Sequence, residues 1–138
     1  MHARTHRRSS ARVAAGLAAV LGIAAPALPH HSFTAEFDST KRVTLTGTVT
    51  KIEWTNPHAY LYVDAADETG ATGNWAVEMG SPNGLTRLGW TRTMLKVGDA
   101  VKVEGSRAKF KPHLANAQAV ILVATGQKLG AASSETAK

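Results

Sequence analysis

The stretch Val43–Asp64, VTLTGTVTKIEWTNPHAYLYVD, decides how this chain is read. Val43, Leu45, Gly47 and Val49 alternate with Thr44, Thr46, Thr48 and Thr50. Alternation of period two, rich in Val and Thr, predicts a half-buried strand. After Thr50 the apolar series moves to even numbers, at Ile52 and Trp54. Such a slip predicts a bulge, the device small barrels use to bend long strands, and Gly47 offers a second place for a close bend. Pro57 ends the strand and restricts Asn56 to extended conformations. Alternation resumes with Ala59, Leu61 and Val63 against Tyr60 and Tyr62.

Outward from this pair, residues 67–73 (DETGATG) read as a turn, and Asn74–Met79 alternates again with Trp75, Val77 and Met79 on one face. Ser81 before Pro82 is a helix-start signal, so a short helix is expected over the following residues. Thr91–Leu95 predicts a second helical turn, ended by Val97-Gly98-Asp99. Ala100–Gly105 and Ala117–Ala124 are the fourth and fifth strands, and Ser106–Asn116 between them is a basic loop. The expected fold is mainly β: a small five-stranded OB-like Greek-key barrel over residues 43–129, with a short helical insert between strands 3 and 4. A small sandwich is the competing arrangement. Residues 28–42 form an N-terminal arm anchored by Phe33 and Phe37, and residues 130–138, small and polar, a flexible tail.

The chain has 138 residues, enough for one domain and a leader. Residues 1–12 are basic without an acid, and Val13–Ala25 is an apolar run too short to anchor comfortably in a bilayer. With small residues at Ala25 and Ala27, residues 1–27 read as a secretory signal peptide. A buried N-terminal helix is the other reading. Cleavage after Ala27 fits the small-residue rule; cleavage after Pro29 is the alternative. Arg7-Arg8 invites a twin-arginine signal, but Ser9-Ser10-Ala11 lacks the apolar residues that follow one, which leaves the general secretory route and a periplasmic location. The formal charge of +6 falls to about +2 once Arg4, Arg7, Arg8 and Arg12 are removed, so nucleic acid is not expected as a partner. No membrane association is expected after cleavage. The absence of cysteine means no disulfide contributes.

In an OB-like barrel the loops after strands 1 and 4 flank one face. Here they carry His58 and His113, while His30 and His31 sit on the arm. Imidazole is the common nitrogen ligand of copper, zinc and nickel, so His30, His31 and His58 are candidate metal ligands, with copper favoured. Each has a plainer reading. His58 after Asn56-Pro57 caps a turn with its ring on a nearby carbonyl, His113 is a solvated loop residue, and His30-His31 is linker. Cleavage after Ala27 puts His30 third from the amine, but Pro29 has no N–H to deprotonate, which cripples an amine–amide–imidazole site. Cleavage after Pro29 instead pairs the amine with the His30 ring.

A second use of the same face, without a metal, is docking a partner protein, glycan or flat cofactor through Trp54, Asn56, Tyr60 and Tyr62. Trp54 and Trp75 also suit the core, whereas the two tyrosines face away from Leu61 and Val63. Catalysis is not expected. There is no Gly-x-Ser-x-Gly elbow, cysteine nucleophile or phosphate-cradling glycine loop, and Glu53 and Glu78, though able to neighbour each other, are as readily surface carboxylates.

His30-His31-Ser32-Phe33, Glu36-Phe37-Asp38, Glu53–Ala59 (EWTNPHA), Trp75–Glu78 (WAVE), Ser81-Pro82-Asn83 and Gly89-Trp90 together resemble a bacterial domain-of-unknown-function family of small exported proteins. The resemblance runs from His30 to about Leu129 and implies a periplasmic OB-like domain without an established activity. Members open their mature chain with His-His-Ser-Phe after a small residue. Pro29 departs from that, and the loop KFKPHLANA is unlike the family, so His113 is not carried over.

Overall fold

A computed structural model describes residues 33–136. The leader, its cleavage point, and His30 and His31 lie outside the described residues. The order of elements is α1 (Phe33–Glu36), β1 (Phe37–Glu53), β2 (Tyr60–Ala66), β3 (Thr72–Glu78), α2 (Pro82–Arg87), β4 (Ala100–Ala108), β5 (Leu114–Leu122) and β6 (Lys128–Gly130). The protein is mainly β, with one six-stranded sheet in the order β3-β2-β1-β4-β5-β6.

The long β1 is the spine of the sheet. Its first part pairs with β4, from Phe37 opposite Ala108 to Thr48 opposite Ala100, and its second part with β2, from Thr46 opposite Ala66 to Glu53 opposite Tyr60. One strand serves two neighbours because it bends. The register shifts between Val49 and Lys51, where the apolar phase of the sequence slips. At Gly47 a Cβ would lie 2.0 Å from the Asp64 carbonyl oxygen, so only a residue without a side chain lets the two backbones come this close. All pairings are antiparallel except that of β3 with β5, where Ala76–Glu78 runs parallel to Leu114–Asn116.

Inward residues of β1–β5 make the main core: Leu45, Leu61, Val63, Val77, Val101, Val103 and Val120 are fully buried, together with Met79 and Leu85. A smaller cluster of Phe33, Phe37 and Leu114 pins α1 and the start of β1, with the two phenyl rings 5.6 Å apart. Ser81 caps α2 by accepting from the Gly84 N–H, and Leu85 plugs that helix into the core.

Five expectations need correction. The sheet has six strands, not five; β6 is three residues long, too short to show an alternation in sequence. β1 starts at Phe37, inside the stretch read as an arm, because Phe37 is a core residue and Lys109 N–H reaches the Glu36 carbonyl. β4 and β5 both run further toward the connecting loop, which shrinks to residues 109–113. Thr91–Leu95 forms turns without a helix. The segment after β6 is also not a loose end: Ala131 and Ser133 are buried, and Glu135 accepts from both terminal nitrogens of Arg42 at 2.9 Å. Among the described residues no helix is long and apolar enough to cross a membrane.

Candidate functional site

The end of β1, the start of β2, the end of β3 and the end of α1 meet around a cleft of about 310 Å³. Its walls are Glu36, Phe37, Glu53, Thr55, Asn56, Pro57, His58, Tyr60 and Glu78. Sheet register explains the grouping: Glu53 lies opposite Tyr60 and Tyr60 opposite Glu78, so three strands present these side chains in one row. The Asn56–Pro57 bond between β1 and β2 is cis, and His58 follows it on the cleft wall.

His58 is fixed by the strand beside it. Its Nδ1 lies 3.2 Å from the Met79 carbonyl oxygen. A carbonyl only accepts, so in the neutral ring Nδ1 must carry the hydrogen and Nε2 keeps its lone pair. The bland expectation for this histidine, a ring bonded to a nearby carbonyl, thus holds, and the same bond leaves Nε2 as a base. The Glu78 Oε1 stands 4.0 Å from Nδ1.

Glu78 is only 6 % exposed and draws its partners from neutral groups. The Tyr60 hydroxyl donates to one oxygen at 2.8 Å and the Asn116 amide to the other at 3.1 Å. Burial, and then this bond to Glu78, push the Tyr60 phenol well above its ordinary value. Tyr62 repeats the motif one pleat away, donating to Glu53 at 3.1 Å. Glu53 is held below the ordinary carboxylate value by its bond from Lys51, then by Tyr62. Among the described residues three carboxylates and one imidazole line the cleft and no lysine or arginine does, although Lys51 and Lys111 pair with Glu53 and Glu36 from outside it.

The predicted site residues divide. Asn56, His58 and Tyr60 line the cleft. Trp54 is packed against the main core and Tyr62 lies beyond the lining. Tyr60 and Tyr62 stack at 6.3 Å, and the Lys51 ammonium sits 5.0 Å above the Tyr62 ring, covering one face of it. His113 does not join His58. Its ring packs on Trp75 at 5.1 Å, over the space that a side chain at Gly73 would need. Trp75 is buried, with Arg107 on its ring and its indole N–H unpaired among the described residues, so it belongs to the core and forms no platform. Among the described residues no three His, Asp or Glu side chains converge closely enough to hold an ion by themselves.

In the sequence Glu36 and Glu78 stand out only within the motifs of the family resemblance and, for Glu78, as a neighbour of Glu53, while the Met79 carbonyl and Asn116 carry no signal. The signal for Glu78 was its place on the outward phase of β3, opposite Tyr60 on the outward phase of β2. Its burial comes from Asn116, which no periodicity connects to it.

Residues 18–114 match a family of unknown function (DUF6152). No curated protein and no solved structure matches the chain.

Proposed function

The chain belongs to the DUF6152 family, and from that premise we propose that it is an exported, periplasmic binding module that takes a transition-metal ion, copper first, at the Asn56–Pro57–His58 corner. The observation that carries this is the His58 Nδ1 contact with the Met79 carbonyl, which in the neutral ring keeps the Nε2 lone pair for a ligand at an acid-lined cleft. A ring whose other nitrogen is tied to a carbonyl is the usual arrangement of a metal-binding histidine. The remaining ligands are assigned to His30 and His31. Phe33 stacks on Phe37, a wall of the cleft, and the two residues from Phe33 back to His31 span up to ~7 Å of extended chain. The scaffold is read as an OB-like barrel, supported by the parallel β3–β5 pairing, which joins the succession β3-β2-β1-β4-β5 back on itself.

The test is a competition titration of the purified exported protein with copper and with zinc, beside His58→Ala and a His30→Ala/His31→Ala double variant. Both variants are expected to bind copper at least ~10-fold more weakly. Wild-type protein that binds neither metal more tightly than His58→Ala removes the proposal. The mass of the exported chain fixes its first residue and so decides whether a free amine adjoins His30.

The alternative, a flat cofactor, glycan or partner protein docked on the aromatic face, draws on the stacked Tyr60 and Tyr62 rings. It is the weaker reading, since Lys51 covers Tyr62 and both hydroxyls are engaged by carboxylates.

A further inference from the structure

The Met79–Gly80 peptide unit is held at both ends. Its carbonyl faces His58 Nδ1 at 3.2 Å, and its N–H donates to the Ala131 carbonyl at 2.8 Å. Gly80 packs so tightly on the next residue that a Cβ there would lie 2.4 Å from the Ala132 methyl. The same short segment reaches the other polar neighbour of His58. Ser133 donates to the Asn116 Oδ1 at 2.5 Å, and the Asn116 amide donates to Ser134 and to Glu78, each at 3.1 Å. Asn116 and Ser133 are buried, so this side-chain amide is satisfied on both its oxygen and its nitrogen inside the protein. Glu135 then locks the end of the segment, accepting from Arg42 and, at 2.6 Å, from Gln118.

We infer that Ala131–Glu135 is a strap that positions the His58 imidazole, acting through Gly80 on the carbonyl that fixes the ring and through Ser133 and Asn116 on Glu78. Both polar neighbours of Nδ1 are thereby braced from one segment, so releasing it frees the ring to exchange tautomers and turn. Ser133, Asn116 and Ala131 are positioning residues; none of them lines the cleft. The part of this inference that concerns affinity rests on the metal-binding reading, whereas the part that concerns the ring does not.

The experiment separates the two. The ¹⁵N shifts of the His58 ring are recorded on metal-free protein for wild type, Ser133→Ala, Ser133→Thr and a chain ending at Gly130, and each is then titrated with copper. Wild type and Ser133→Thr, which keeps the hydroxyl, are expected to show a protonated Nδ1 and a bare Nε2. Ser133→Ala and the shortened chain are expected to show averaged ring nitrogens and copper affinity about 10- to 100-fold weaker. A folded shortened chain with the wild-type ring pattern overturns the strap. Should the shortened chain not fold, an unchanged ring in Ser133→Ala overturns it equally. Averaged rings in the variants, with no copper binding by any protein including wild type, uphold the strap and remove the metal.

Discussion

At Glu78, neutral donors meet both carboxylate oxygens, with Tyr60 on one and Asn116 on the other. A buried acceptor in this position is missed when the replacement cannot accept. In Glu78→Leu both oxygens go, so the Tyr60 hydroxyl and the Asn116 amide lose the acceptor they share. The expected result is a loss of about 1–3 kcal/mol of unfolding free energy, the usual cost of a buried polar group stripped of its partner. Urea denaturation measures it. A change inside ~0.5 kcal/mol, typical of an exposed position, would mean that the carboxylate is not needed where it stands. The sequence marks Glu78 as an outward residue of β3 and stops there. Nothing local announces the Asn116 that buries it, because the contact is made across the parallel β3–β5 pairing.

Among the elements, β1 and α2 carry their instructions locally. The phase slip after Thr50 becomes the register shift between Val49 and Lys51, and the Ser-Pro pair becomes the Ser81 cap of α2 with Pro82 in its first turn. Two substitutions separate a local role from a tertiary one. Ser81→Ala removes one capping bond and is expected to lower stability by about 1 kcal/mol. Gly47→Ala places a Cβ 2.0 Å from the Asp64 carbonyl oxygen, so β1 and β2 must part there, and the loss is expected to exceed that of Ser81→Ala severalfold. Equal midpoints for the two variants in urea would contradict this crossing of β1 and β2. Elements whose residues lack pattern were not legible. Residues 131–135 read Ala-Ala-Ser-Ser-Glu, a composition usual in tails, yet small side chains are what lets this segment lie against Gly80 and reach Asn116. The short β6 before it has one buried residue, Leu129, and no alternation to show. Of the candidate site, the Asn56–His58 corner and Tyr60 were visible in the sequence because they interrupt or face away from a strong strand pattern. Trp75 takes the core place that its phase on β3 offers and His113 stays exposed on the β4–β5 loop, but the contact between their rings leaves no trace in spacing.

For the molecule as a whole, the charged surface predicts how stability varies with pH. Asp67 is held far below its ordinary value of 3.8, first by the Thr69 hydroxyl and then by Arg107, and Glu68 below its ordinary 4.5 by Arg107. Asp38, bonded by Thr40, and Glu53, bonded by Lys51, are lowered in the same sense. An acid whose folded value is depressed adds stability above its unfolded value, and that contribution drains away as pH falls through the folded one. On the alkaline side the Tyr60 and Tyr62 phenols are raised above 10.0, by burial and then by their bonds to Glu78 and Glu53. They hold protons that the unfolded chain has released, so their contribution is complete below that value and lost above it. The urea midpoint is therefore expected to be level between about pH 5 and 9, to fall below roughly pH 4, and to fall again above about pH 10. Asp67→Asn should lower the plateau and flatten the acid limb, because the substituted side chain cannot ionise while Arg107 keeps only Glu68. Tyr60→Phe should flatten the alkaline limb. An acid limb of the same slope in Asp67→Asn and wild type would show that the Asp67–Arg107–Glu68 group between the β2–β3 turn and β4 does not hold the fold together on acidification.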